Sequence, residues 1–128
     1  MDRINISSNS SFEDSIGFSR AVKTADHIYV AGTAPITTPG SGEEGHDDTY
    51  NQTRTCLRIM RKAIEDAGGD WQNVVRTRIY LKNVTEWEAA AKAHREFFSD
   101  IRPACTFLEV KGFINPKWLV ETEADCIL

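Results

Sequence analysis

The chain has 128 residues and a mass of 14.4 kDa, the length of one domain that can bury a core without disulfide or metal staples. Hydrophobic residues make up 41% and charged residues 27%, ordinary globular values that exclude a disordered protein or a fibre. A formal net charge of −4 and a pI near 5.3 argue against a nucleic-acid binder that works through a broad basic surface.

The N-terminal stretch MDRINISSNSSFEDS is polar and acidic, without the apolar region of a signal peptide. No apolar run approaches the ~20 residues that span a bilayer, so the sequence predicts a cytoplasmic chain without membrane contact. The sequons at Asn5, Asn9, Asn51 and Asn83 then carry no expectation of glycosylation. Ser7 to Ser15 is rich in Ser and Asn and reads as a surface loop. Ser19 to Val22 and His27 to Ala31 read as two short strands around an Ala25-Asp26 turn. Thr37 to His46 (TTPGSGEEGH) is the clearest loop in the chain.

Asp47-Asp48-Thr49 offers helix N-caps. Beyond it Cys56, Ile59, Met60, Ala63, Ile64 and Ala67 recur at helical spacing as one apolar stripe, and Gly68-Gly69 stops the helix. Val74 to Leu81 alternates as a strand, with Val75, Thr77, Ile79 and Leu81 on one face and Val74, Arg76, Arg78 and Tyr80 on the other. A second helix starts at a Thr85 cap and carries Trp87, Ala90, Ala91, His94, Phe97 and Phe98 inward. Ala104 to Val110 and Leu119 to Ile127 read as the last strands. The order is β-β-α-β-α-β-β, one α+β domain over 1–128 with two helices on one face of a mixed sheet. The uncovered face mixes Tyr29, Tyr80 and Phe107 with Arg76, Arg78, Glu121 and Glu123, a composition that suggests a subunit interface. Arg76 and Arg78 are expected to pair with Glu121 or Glu123.

The three cysteines Cys56, Cys105 and Cys126 are odd in number, widely spaced and without a CxxC pair, a pattern of neither a zinc site nor a disulfide framework. No metal or organic cofactor is expected.

Two stretches carry a resemblance. IYVAGTAPI (Ile28 to Ile36) is similar to a strand and turn of the RidA/YjgF family. RTRIYLKNVTEWEAAAKAHREFF, RPACTFLEV and LVETEADCIL resemble that family's strand, second helix and C-terminal signature in order and spacing. The resemblance covers nearly the whole chain. It implies a chorismate-mutase-like, YjgF-like fold, a homotrimer whose sheets form a central barrel, and small-molecule clefts between subunits. It further implies cofactor-free hydrolysis of 2-imino or enamino acids to keto acids and ammonia, in which an arginine clamps the substrate carboxylate and a carboxyl group activates water.

Glu121 matches the water-activating glutamate. The Pro-Ala-Arg-Ser segment of the family's deaminases is here Pro103-Ala104-Cys105-Thr106, so Cys105 stands where the clamp would be and standard 2-imino acid deamination is not expected. Phe18 replaces a frequent tyrosine, and Ala91 a frequent asparagine. Phe18, Gly32, Thr33, Cys105 and Phe107 are the implied cleft residues, with Arg20 and Arg102 as candidate replacement clamps. Arg102 precedes a proline and is expected in extended backbone. Three functions remain: a hydrolase or deaminase of a small imine, enamine or related conjugated acid; a non-catalytic trimer binding a metabolite or protein; and a ribonuclease or translation inhibitor, which the acidic charge disfavours.

Overall fold

The computed structural model of the protein describes residues 2–37 and 46–128, so most of the loop predicted over 37–46 lies outside the described residues. Arg3–Ile6 forms an edge strand, β1, and Ser11–Ile16 a short helix, α1, where the sequence reading has only a loop. The helix forms because Ser10 and Glu13 make a reciprocal capping box that satisfies orphan N–H groups of its first turn. Gly17, at φ 89°, ends it in a left-handed conformation that costs glycine nothing.

β2 (Ala21–Thr24) and β3 (His27–Thr33) form a hairpin in which Thr24 pairs with His27 across the Ala25-Asp26 turn. α2 (Thr49–Asp66) follows the predicted Asp48 cap, whose carboxylate accepts from the Asn51 N–H at 2.9 Å. It buries Cys56, Met60, Ala63 and Ile64 of the predicted stripe, together with Leu57. Gly68, at φ 89°, supplies the left-handed stop, while Gly69 has a different reason to lack a side chain: a Cβ there would lie 2.6 Å from Ile28 Cδ1. The end of α2 is thereby seated directly on β3.

β4 (Val74–Leu81) alternates as predicted from Thr77 onward, but an irregularity between Val74 and Arg76 inverts its start. Val74 is buried and Val75 exposed, the reverse of the sequence expectation. A 3-10 turn over Val84–Glu86, capped by Asn83, precedes α3 (Trp87–Phe98), so Thr85 is not the helix cap. Trp87, expected in the core, is 51% exposed, whereas Ala90, Ala93 and Phe98 are buried. Trp71 closes this end of the core, stacked on Phe98 and donating its indole N–H to the Phe97 carbonyl at 2.9 Å.

β5 (Ala104–Glu109) and β6 (Val120–Ile127) complete a six-stranded, open mixed sheet of order β1-β2-β3-β6-β4-β5, in which only the β4–β5 pair is parallel. The predicted α+β succession is present, with β1 and α1 added ahead of it. The inward face carries Ile28, Val30, Ile79, Leu81, Val120, Thr122 and Ala124 beneath α2 and α3. The opposite face carries Tyr29, Arg78, Tyr80, Glu121, Glu123 and Asp125. Arg78 lies 3.5 Å from Glu123 and 3.3 Å from Asp125, and the Tyr80 hydroxyl donates to Glu123 at 2.5 Å. The expected arginine–acid pairing is thus present at Glu123. Phe107 does not belong to this face: its register partner is inward-facing Ile79, and it packs with Cys56, Leu81 and Ala90.

Leu57 is fully buried against the sheet, so Leu57→Ala should cost about 2–5 kcal/mol of unfolding free energy, read from urea denaturation. Glu13 is buried and accepts from the Ser8 N–H and hydroxyl and from the Ser10 N–H. Those bonds outweigh burial and hold its pKa below the usual carboxylate value. A depressed folded-state pKa contributes stability above the unfolded-state value, lost as pH falls through the folded value. Glu13→Gln should therefore lower stability at neutral pH by about 1–3 kcal/mol. It should also flatten the fall in stability below pH ~4.5, both measured by denaturation across pH.

Candidate functional site

The hairpin places Arg20 where the chain enters β2, beside the end of β3. Its side chain is only 4% exposed. Nη1 donates to the Gly32 carbonyl at 2.7 Å and to Thr33 Oγ1 at 3.0 Å, and Nε donates to Ser8 Oγ at 3.3 Å. Phe18 lies under the guanidinium, 5.2 Å from ring centroid to Cζ. Burial pushes the Arg20 pKa down, opposed by the charges of Glu13 and Glu121. Four predicted cleft residues (Phe18, Arg20, Gly32 and Thr33) are therefore one cluster.

Glu121 joins that cluster electrostatically. It is half-buried near the start of β6, opposite Tyr80 and next to Thr122, which pairs with Thr33. Burial raises its pKa above the ordinary carboxylate value; Arg20 pulls it down and Glu123 adds to the rise. The result is a carboxyl group with enhanced proton affinity on the uncovered sheet face. That is the electrical character of a group that both gives and takes a proton.

Cys105 and Phe107 lie elsewhere. They occupy β5, three strand spacings from β3, roughly 14 Å across the sheet, and they face the helices. Cys105 pairs in register with Thr77, whose hydroxyl is also its hydrogen-bond partner; burial raises the thiol pKa, and Thr77 opposes the rise. The Thr77 hydroxyl lies 2.8 Å from His94 Nε2. Burial drives the His94 pKa down to about 4, so this imidazole is neutral at physiological pH. Phe98 and Phe107 flank the ring at centroid distances of 4.5 and 6.4 Å. A sequence reading finds no histidine near Cys105. Its signals were the inward placement of His94 on the second helix stripe and of Thr77 on the strand, but their meeting needs the fold.

Arg102 is exposed and adopts φ 55°, a left-handed rather than the expected extended conformation. Its N–H donates to the Phe98 carbonyl at 2.8 Å, closing the end of α3. The fold of the chain thus gathers Phe18, Arg20, Gly32, Thr33 and Glu121, and leaves Arg102, Cys105 and Phe107 at the far edge. Arg20 is committed to internal partners rather than projecting from the surface as a clamp. Among the described residues no group of three His, Cys, Asp or Glu side chains is arranged to hold a metal ion, and no helix is long and apolar enough to cross a membrane.

Comparison with known proteins places these features in context. Residues 9–128 match the family model described as Endoribonuclease L-PSP. An uncharacterized protein of Streptomyces coelicolor is 37% identical over 120 residues, 94% of this chain and 88% of that one. The 3-aminoacrylate deaminase RutC of Acinetobacter baylyi is 28% identical over 106 residues, 79% of each chain. A crystal structure from Mycobacterium tuberculosis, of a member of the highly conserved YjgF/YER057c/UK114 family, superposes with a TM-score of 0.90 at 38% identity, covering 99% of this chain and 100% of the other.

Arg20 is the charge that restrains the upward pKa shift of Glu121. Arg20→Gln should therefore move the Glu121 titration to higher pH, followed by carboxyl NMR in a variant whose cooperative melting certifies its fold. An unchanged or lowered midpoint would contradict the coupling.

Proposed function

The chain belongs to the Endoribonuclease L-PSP family, the YjgF/RidA family, and from that premise we propose that it is a cofactor-free hydrolase or deaminase of a small imine, enamine or related conjugated acid. On this reading the chain works as a homotrimer with its clefts between subunits. The observation that carries it is Glu121: a half-buried carboxyl group of raised proton affinity beside the buried Arg20 charge. The 3-aminoacrylate deaminase among the relatives supports the reaction class.

In the proposed reaction protonated Glu121 delivers its proton to the imine nitrogen, or to the enamine carbon, and either transfer gives an iminium ion beside the Glu121 carboxylate. The Glu121 carboxylate then accepts a proton from water as its oxygen bonds to the electrophilic carbon. Glu121, protonated again, then gives its proton to the carbinolamine nitrogen and takes the hydroxyl proton as the C–N bond breaks, so imine plus water gives carbonyl compound plus ammonia. Glu121 on β6 and Cys105 on β5 stand two strand spacings apart, roughly 10 Å across the sheet, a separation that suits a cleft assembled from two subunits. A carboxylate clamp at Cys105 is absent, since a neutral thiol offers no bidentate charged pair. The substrate is accordingly proposed to differ from the usual 2-imino acids, unless Arg102 supplies the cation from its exposed position.

A second reading, a non-catalytic metabolite- or protein-binding trimer, draws on the same replacement at Cys105. The ribonuclease reading suggested by the family description fits poorly with the −4 net charge.

Ammonia release from a panel of small imines and enamines, 3-aminoacrylate among them, separates the readings. Turnover that falls ~10²-fold or more in Glu121→Gln supports the enzyme. Ligand-induced thermal shifts without turnover would transfer the case to the binding trimer, whereas turnover above background ends that reading and turnover indifferent to Glu121 overturns the role proposed for Glu121. If proton donation by Glu121 limits the rate, activity should fall as pH rises through the raised Glu121 pKa, so the descending limb should lie above the ordinary carboxylate range. Sedimentation equilibrium of the native chain tests the trimer.

A further inference from the structure

β6 runs through the middle of the sheet and sends the carboxylates of Glu121, Glu123 and Asp125 to the uncovered face. Arg78 lies 3.5 Å from Glu123 and 3.3 Å from Asp125, and Tyr80 donates to Glu123. Glu121 differs from both: it is half-buried and makes no hydrogen bond or ion pair with a described residue. The groups that face it are Tyr80 on β4, Glu123 on its own strand and Arg20 from the entry to β2. Arg20 spends its hydrogen bonds on Ser8, Gly32 and Thr33. Farther along the face stand Arg76 and Arg78 on β4, Tyr29 on β3, and His27, which is paired with Asp26 at 2.8 Å. Burial raises the Glu121 pKa, Arg20 lowers it and Glu123 adds to the rise. Among these charges Tyr29, Leu108 and Ile127 leave large apolar side chains 47%, 51% and 45% exposed on the same face.

We propose that self-association through this face is coupled to protonation of Glu121, so that the assembly takes up a proton there and acidification strengthens it. The coupling rests on the homotrimer reading above and adds its regulation. A second copy of the chain suits the face on two counts. It covers the exposed apolar side chains, and its charges balance once one carboxylate is neutral. With Glu121 ionised, the central strands carry Glu121, Glu123 and Asp125 against Arg76 and Arg78, and two copies repel; with Glu121 protonated, acids and arginines are equal. Withdrawing an unpaired carboxylate from water also costs far more than withdrawing the neutral acid. A carboxyl group of higher pKa in the assembly than in the separate chain favours assembly below the separate chain's value. That contribution is lost as pH rises through the value in the assembly. By reciprocity, assembly holds Glu121 in the protonated form from which the proposed reaction starts.

Sedimentation equilibrium of the native chain between about pH 8.5 and 6.5 reads the coupling, with His27→Gln run in parallel to remove the imidazole of the same face. The association constant should rise at least about tenfold on acidification. Glu121→Gln, uncharged at every pH, should abolish that rise and assemble at the alkaline end at least as tightly as the native chain at the acidic end. Should the native assembly be too tight to dissociate, Tyr29→Ser, Leu108→Ser and Ile127→Ser together, all at exposed positions, should release the separate chain. Carboxyl NMR should then place the Glu121 midpoint about one pH unit or more higher in the assembly than in the separate chain. Association indifferent to pH or strengthened by alkali, a pH dependence retained in Glu121→Gln, or equal midpoints would overturn the coupling. An assembly that survives the triple replacement does not use this face and overturns it as well. A native chain that never associates removes the homotrimer and the coupling together. Absence of ammonia release leaves the coupling standing, and a homotrimer indifferent to pH leaves the hydrolase standing, so the two readings fail separately.

Discussion

A guanidinium withdrawn from water costs several kcal/mol unless its N–H groups find acceptors and its charge finds compensation. At Arg20 that requirement organises one side of the molecule. The Gly32 carbonyl and Thr33 hydroxyl fix the end of β3, and the Ser8 hydroxyl fixes the connection after β1. Behind Ser8 stands Glu13, whose place depends on the Ser10 capping box. A six-residue helix too short to persist alone is thus tied through three side chains to the hairpin and to the electrostatics of Glu121. The irregularity between Val30 and Thr33 on β3 lies where the guanidinium enters. There the backbone turns a carbonyl toward a cation instead of only along the ladder.

The sheet separates two environments of opposite character. Around Arg20 and Glu121, fixed charge coexists with a carboxyl group of raised proton affinity. Around Cys105, Thr77 and His94, burial holds a thiol and an imidazole in their neutral forms. The second cluster is a chain of uncharged hydrogen-bonding groups lined by aromatic rings, unsuited to generating a thiolate nucleophile at neutral pH.

Much of this was legible in the chain. The stripe from Cys56 to Ile64, the Asp48 cap and the Gly68 stop rest on local rules of spacing and backbone freedom. The closeness of Arg20 to Gly32 and Thr33 follows from a two-residue hairpin turn. Other features fail for identifiable reasons. β1 is a four-residue edge strand in which Arg3 and Asn5 alternate with two isoleucines, below the length at which alternation speaks. α1 was readable from the Ser10–Glu13 box, but the surrounding serines and asparagines read as loop. Val74 and Val75 exchange faces because one irregular residue reverses parity. Phe107 is misplaced for a related reason: its face depends on its register with Ile79, which only the pairing of β5 with β4 establishes. The Thr77–His94–Cys105 chain joins three elements far apart in sequence.

The strand that follows all others in the chain is not at the margin of the sheet. β6 lies between β3 and β4, pairing with both along most of its length. During synthesis from the N-terminus, the β1–β2–β3 hairpins and the β4–α3–β5 unit would wait as two unjoined half-sheets. Each exposes one edge and an apolar face to the cell. Only when Val120–Ile127 leaves the ribosome does one strand bond to both halves and seal the core beneath α2. Assembly is therefore a late, nearly all-or-none event. The interval before it is when the nascent chain depends most on protection from aggregation.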